Sequence, residues 1–364
     1  IRGIEMSVEI FSFFSGLGFL DLGFELTGFN ISFVNEKNPK FLKSYQYARR
    51  DIEHAPKYGY SNENMELFLD DLFWNERFPD YYLRTDNRLI GFIGGPPCPD
   101  FSVAGKNKGY TGENGQLTEK YIKLIIKRQP DFFVMENVKG LYKTKKHNVF
   151  YEQMKKRLYR SGYSLFDSIE NALEYGVPQF RDRLILIGFR RKTFGRSLKY
   201  TIGGHKVFQM NNIERCNWPT TDVFEIGNRR TAPDHIIKEL TVQYWFEKNE
   251  VNSHPNANDY FNTNANDKFV TIQEGDTSGK SFKRLHRWRY SPTAAYGNNE
   301  VHLHPYQPRR ISVSEALAIQ SLPKWFEVPA TLPLSIKFKM ISNGVPYLLA
   351  RGMAEDLNDW LRNL

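Results

Sequence analysis

The chain has 364 residues, 40% of them hydrophobic and 15% aromatic, which is enough for a sizeable core and unlike a disordered chain. Two cysteines, Cys98 and Cys216, exclude a disulfide framework and lack the spacing of a zinc site, so no metal is expected. Basic residues number 50 against 41 acidic ones, a formal charge of +9 that favours a polyanionic partner; no apolar run is long enough to span a membrane and no secretory leader is visible, so a cytoplasmic protein with no membrane partner is expected.

Short apolar runs rich in Val, Ile and Phe predict strands over Val8–Ser15, Ile31–Glu36, Leu89–Gly95, Asp131–Val138 and Leu184–Arg190. Leu117, Tyr121, Leu124 and Ile125 recur at helical spacing and predict a helix over Leu117–Arg128, so the strands on either side of it pair in parallel. Strands this continuously apolar are covered on both faces. The expected architecture is a three-layer α/β domain with a doubly wound sheet and a site at the carboxyl ends of its strands.

The first strand runs into Phe14-Ser15-Gly16-Leu17-Gly18-Phe19-Leu20-Asp21, a tight glycine turn that meets neither the dinucleotide fingerprint nor the phosphate loop. A nucleoside ligand that depends less on phosphate fits it, and Glu36, ending the second strand, stands where an acid accepts bonds from ribose hydroxyls.

Gly94-Gly95-Pro96-Pro97-Cys98-Pro99 follows the third strand and sets a thiol in a proline-stiffened loop, a candidate for covalent catalysis. The fourth strand ends in Glu136-Asn137-Val138, and Gln179-x-Arg181-x-Arg183 leads into the fifth. Cysteine, carboxyl and guanidinium groups on one sheet edge suit nucleophilic addition to an electron-poor ring, with the acid at a ring nitrogen and an arginine on a carbonyl oxygen.

After about Arg191 the alternation stops and an asparagine-rich stretch follows, so residues 192–330 read as a second, smaller, irregular domain and 331–364 as a return to the first, which spans 1–191. Helical pattern returns over Ser312–Gln320 and Pro346–Leu364. The basic segment with Lys283, Arg284, Arg287 and Arg289 around Trp288 suits phosphate contacts and stacking. Trp218 and Tyr244 read as core.

The order and spacing of these motifs closely resemble the DNA cytosine C5-methyltransferases of bacterial restriction-modification systems, over nearly the whole chain outside about 192–279. Arg310-Ile-Ser-Val-Ser-Glu315 with Gln320-Ser-Leu-Pro323 and Ser342-Asn343-Gly344-Val345-Pro346 match the family's last two blocks. The resemblance implies a Rossmann-like, S-adenosylmethionine-dependent methyltransferase fold with a target-recognition domain. It also implies a site-specific enzyme acting on a flipped cytosine of double-stranded DNA. Cys98 would add to C6, Glu136 would assist at N3 and the exocyclic amine, and Arg183, beside Arg181, would hold O2.

By the same resemblance Phe14, Ser15, Gly16, Leu17, Gly18, Glu36, Gly95, Pro97, Leu117, Asn343 and Val345 would line the pocket for S-adenosylmethionine and its product S-adenosylhomocysteine. Asp70 and Asp71 compete for the adenine amine, with Asp71 favoured. DNA contacts are assigned to Ser102, Gln179, Lys283, Arg284, Arg287 and Arg289. The enzyme is expected to act as a monomer on DNA in a bacterial cytoplasm, with any cleavage left to a separate cognate restriction endonuclease. The sequence departs from the family pattern at Ser12, Phe19, Pro99 and Ser342. The rival readings are a transfer-RNA cytosine methyltransferase, whose Cys-Phe-Thr signature is missing here, and a non-catalytic DNA-binding relative, which would lack Cys98 or Glu136.

Overall fold

The computed structural model describes residues 7–52, 55–83, 88–97, 113–227, 230–262, 267–279, 281–296 and 300–364. Along the chain run β1 (Ser7–Phe13), α1 (Phe19–Glu25), β2 (Asn30–Asn35), α2 (Pro39–Ala48), β3 (Tyr60–Ser61), α3 (Asp71–Arg77), β4 (Arg88–Gly94), α4 (Glu113–Arg128) and β5 (Phe132–Val138). They are followed by α5 (Lys139–Lys143), α6 (Lys145–Arg160), β6 (Tyr163–Asn171) and β7 (Asp182–Arg190). All five predicted strands are present, within two residues at each end. The predicted helix at Leu117 starts earlier, at Glu113.

The seven strands lie in the order β3-β2-β1-β4-β5-β7-β6. β1 to β5 are parallel, and β7 runs antiparallel to both β5 and β6. Side chains alternate across the sheet, so each strand feeds two cores. Ile10, Val34, Ile93, Val134 and Ile187 meet Leu20 and Phe24 of α1 on one face. Phe11, Phe13, Phe33, Phe92 and Met135 meet Trp74, Tyr121, Ile125 and Met154 on the other.

The second half continues with α7 (Arg191–Phe194), α8 (Met210–Arg215), α9 (Val242–Lys248), α10 (Asp267–Thr271), β8 (Phe282–Arg284) and β9 (Val301–Leu303). It ends with α11 (Val313–Ile319), α12 (Leu334–Asn343) and α13 (Tyr347–Arg362), the last of which buries Leu349, Met353 and Leu357 in the core shared with α1. The helices expected over Ser312–Gln320 and Pro346–Leu364 are therefore α11 and α13. α11 opens with a capping box, in which the Ser312 side chain accepts from the Glu315 N–H while Glu315 accepts from the Ser312 N–H.

The change of composition at Lys192 does not coincide with a change of packing. Phe194, Leu198, Tyr200 and Ile202 still pack on the first core. Gly203, Gly204 and His205 donate backbone N–H groups to Asp356 of α13. A further core joins Leu17, Phe19 and Leu22 to Trp245, Ile311, Leu317, Phe338 and Tyr347, so the two halves share apolar contacts beneath the first turn.

Candidate active site

Strand register fixes where the site lies. Phe13 stands opposite both Asn35 and Gly94, and Gly94 opposite Met135, so the next residues, Phe14, Glu36, Gly95 and Glu136, form a row across the carboxyl edge of the sheet. Above that row opens a cleft of about 1870 Å³ whose lining includes Phe14–Leu17, Glu36, Gly95–Pro97, Leu117, Glu136, Arg181, Arg183, Asn343 and Val345.

The turn after β1 needs left-handed backbone at three alternate positions, Phe14 (φ 55°), Gly16 (φ 57°) and Gly18 (φ 78°). Glycine takes this conformation freely and a phenylalanine does not. The Phe14 ring is held edge-on against Tyr121, with ring centres 5.8 Å apart. Glu36 braces the turn by accepting from Gly16 N–H at 2.9 Å and from Asn38 N–H at 2.8 Å. Burial raises the Glu36 pKa, and these two bonds work against the rise.

Antiparallel pairing of β5 with β7 puts Glu136 opposite Ile185 and Val138 opposite Arg183, so Glu136 and Arg183 are diagonal neighbours on one face. Arg183 Nε meets Glu136 Oε1 at 2.7 Å, with both side chains mostly buried. Gly95 lies so near that a Cβ there would stand 2.9 Å from Glu136 Oε2. Arg181 is buried and binds backbone, donating to the carbonyls of Ser342 (2.9 Å), Gly344 (3.1 Å) and Ala294 (3.2 Å). It thus ties the last motif block to the sheet edge.

A family model described as C-5 cytosine-specific DNA methylase matches residues 8–359. The chain is 54% identical over 370 residues to the Type II methyltransferase M.NmeDI of Neisseria meningitidis serogroup C, covering 100% of this chain and 86% of that one. The chain belongs to the C-5 cytosine-specific DNA methylase family. It is an enzyme of DNA methylation, and a methyltransferase of this family implies S-adenosylmethionine as methyl donor and DNA as substrate. The methyltransferase is also 27% identical to M.BsuRI of Bacillus subtilis, over 98% of this chain and 80% of that one. Its fold matches a solved protein encoded within an Escherichia coli prophage (TM-score 0.70, 22% identity, 98% of this chain and 100% of that one). Dnmt2 of S. pombe matches as well (TM-score 0.61, 12% identity, 98% of each chain). Among the described residues no helix is long and apolar enough to cross a membrane, and no cluster of three or more His, Cys, Asp or Glu residues could hold a metal.

Several expected site residues of the methyltransferase stand elsewhere. Asp71 is exposed and is held at the surface by Arg128 (2.6 Å) and Lys127 (3.0 Å), while Asp70 caps α3 through the Phe73 N–H. Neither faces the cleft, whose wall at this point is Glu63, Asn64 and Met65. Glu63, beside Asn64 and Met65, is the acid of this segment that lines the cleft, where the sequence points instead to the later Asp70 and Asp71. Gly18 backs onto Tyr45 and Arg49 behind the turn. Cys98 and Ser102 lie outside the described residues, as do Pro99 and Lys280.

The basic segment divides. Lys283, paired with Glu300 at 2.9 Å, and Arg289 line the cleft with His286 and Tyr290. Arg284 and Arg287 do not. Arg284 is fully buried and donates to the carbonyls of Ile272, His304, Gln307 and Phe269. Arg287 forms a buried pair with Glu274 at 2.7 Å. Their guanidinium groups are spent on protein, so neither is placed to meet a phosphate. Gln179 is likewise buried, bonded to Gln320 (3.2 Å) and to the Ala294 N–H (2.9 Å).

Two departures from the family pattern have a structural account. Ser12 donates to Asp21 Oδ1 at 2.8 Å, so the hydroxyl near the end of β1 is matched by a carboxylate of α1. The Phe19 ring is buried, packed on Gly344 and edge-on to Phe326 (5.5 Å), where it joins the core beneath the turn.

Proposed function

We propose that the cleft binds S-adenosylmethionine on the row Phe14, Ser15, Gly16, Leu17, Glu36 and Gly95, closed by Asn64, Met65, Leu117, Asn343 and Val345, with the target cytosine beside Glu136 and Arg183. The observation that carries this reading is the Glu136–Arg183 pair at 2.7 Å, set against the Gly95-Pro96-Pro97 segment that leads to Cys98. The lining fits the methyl donor: a carboxylate at the second strand end suits ribose hydroxyls, and amide and apolar groups at Asn64 and Met65 suit the adenine.

In the reaction the Cys98 thiolate adds to C6, forming an S–C6 bond and pushing electron density toward C5, while Glu136 holds N3 and the exocyclic amine and Arg183 holds O2. S-adenosylmethionine supplies an electrophilic methyl to C5 and leaves as S-adenosylhomocysteine. Loss of the C5 proton to a base then expels the thiolate, so the enzyme is regenerated with no net change. Lys283 and Arg289, which line the same cleft as the strand-edge groups, would contact the DNA that presents the flipped base. The enzyme would act as a monomer in the cytoplasm, as the modification partner of a separate restriction endonuclease.

Transfer of labelled methyl to mixed-sequence duplex DNA and to transfer RNA, by wild type and Cys98→Ala, tests this. Label in DNA that vanishes in the variant, with a covalent adduct on 5-fluorocytosine DNA, is the expected outcome. Label confined to RNA, or label that survives in Cys98→Ala, overturns it.

A further inference from the structure

The turn that bears on the methyl donor is gripped from two sides, and only one of them lies in the cleft. On the cleft side Glu36 takes the Gly16 N–H. On the far side Arg49 Nη1 donates to the Leu17 carbonyl at 3.3 Å and its Nη2 to the Gly18 carbonyl. Glu36 precedes α2 and Arg49 is its C-cap residue, so the two holds stand at opposite ends of one short helix.

Arg49 is itself built in. Its side chain is 4% exposed, its Nε meets Glu25 Oε2 at 2.8 Å, and its guanidinium lies over the Tyr45 ring with 3.8 Å to the centroid. A Cβ at Gly18 would collide with that ring, so the turn sits directly on the Tyr45–Arg49 stack. Arg49 does not line the cleft.

Two peptide carbonyls held by a buried cation fix the position of the Leu17–Gly18 segment, where the backbone freedom of the glycine would otherwise let the turn vary. We propose that Arg49 is a positioning residue for methyl-donor binding, acting through the Leu17–Gly18 backbone and anchored by Glu25 and Tyr45. This rests on the reading that the turn contacts S-adenosylmethionine. A lysine in its place keeps the charge but loses the planar fork that serves the two carbonyls and Glu25 together.

Purified full-length wild type, Arg49→Lys and Glu25→Gln, and the double variant, are compared in S-adenosylhomocysteine binding by calorimetry. KM for S-adenosylmethionine, single-turnover rate at saturating donor, affinity for duplex DNA, and thermal melting are measured alongside. Arg49→Lys is expected to weaken S-adenosylhomocysteine binding and raise KM by about tenfold or more, with DNA affinity and saturated rate within about threefold. Glu25→Gln is expected to do the same more weakly, and to add nothing in the Arg49→Lys background.

Equal product affinity in a folded Arg49→Lys overturns the proposal. So does a loss of DNA affinity and saturated rate in step with product binding, which marks a merely structural role. If Arg49→Lys does not fold, an unchanged KM in Glu25→Gln overturns it alone. Failure of wild type to bind S-adenosylhomocysteine sinks instead the reading of the pocket on which the proposal rests.

Discussion

Gly95 and Glu136 face each other across the ends of β4 and β5 with no room for a methyl group between them, since a Cβ on Gly95 would stand 2.9 Å from the carboxylate. The carboxylate ends a flexible side chain and can give way, but any shift strains the 2.7 Å pair that its other oxygen makes with Arg183. Gly95→Ala should therefore displace the acid while leaving the core intact. A drop of about tenfold in single-turnover methyl transfer is expected, with a melting temperature close to wild type, as suits a displacement of roughly half an ångström. A full rate in Gly95→Ala would show that Glu136 needs no such placement.

Asp21 makes stability depend on pH. It is fully buried, and burial raises its pKa from 3.8 to about 6 against the opposing charge of Arg49 and the Ser12 bond, with Glu25 adding to the rise. The folded state thus holds the proton more tightly than the unfolded chain. The protonated acid supports the fold fully below pH ~4, and that support is lost as the pH rises through 6. Asp21→Asn mimics the protonated form and still accepts from Ser12. It should melt above wild type at pH 7.5 by a margin worth at most about 3 kcal/mol, and the margin should close toward pH 4. A margin that is constant with pH would contradict this.

Arg287 and Arg289 stand two residues apart in one basic run and should behave oppositely. Arg287 and Glu274 are both fully buried, so Arg287→Ala strands a carboxylate and should cost about 3–5 kcal/mol in denaturant unfolding. Arg289 lines the cleft with one long bond, 3.4 Å, to the Pro219 carbonyl. Arg289→Ala should leave stability nearly unchanged and weaken DNA binding. If it meets a phosphate, the slope of log K against log salt should fall by about 1. A stable Arg287→Ala with a lowered slope would restore the reading in which the whole run meets DNA.

At the adenine end, Asp71→Asn should leave S-adenosylhomocysteine affinity unchanged in calorimetry, because its carboxylate is committed to Lys127 and Arg128 at the surface. Asn64→Leu, which removes the amide from the cleft wall, should weaken the same binding by about tenfold. The reverse pattern would return the adenine contact to Asp71.

These cases show what the residues alone could tell. β1, β2, β4, β5 and β7 were legible because both faces of each are buried, which leaves long apolar runs. β6 was missed, since most of Tyr163–Asn171 is half-buried and polar residues interrupt it. Nothing local records that β7 runs antiparallel to its neighbours. The edge row of Phe14, Glu36, Gly95 and Glu136 was legible because each residue lies within two positions of the carboxyl end of a predicted strand. Asp71, Arg284 and Arg287 were misplaced for one reason. A charged side chain looks the same in sequence whether its partner is water, a phosphate or Arg128, and the partners that decide lie far along the chain or on its carbonyls.

The cleft wall draws on both ends of the chain, with Phe14–Leu17 from the first turn and Asn343–Val345 from just before α13, while Arg181 from the middle bonds the carbonyls of Ser342 and Gly344. A nascent chain emerging from the ribosome therefore carries β1 and its turn well before the segment that completes the pocket is made. Methyl-donor binding should switch on only as the segment around Asn343–Val345 docks. A polypeptide cut short before Asn343 would lack this part of the wall and the carbonyls that Arg181 holds, so competence to methylate should require that this segment has been made and has docked.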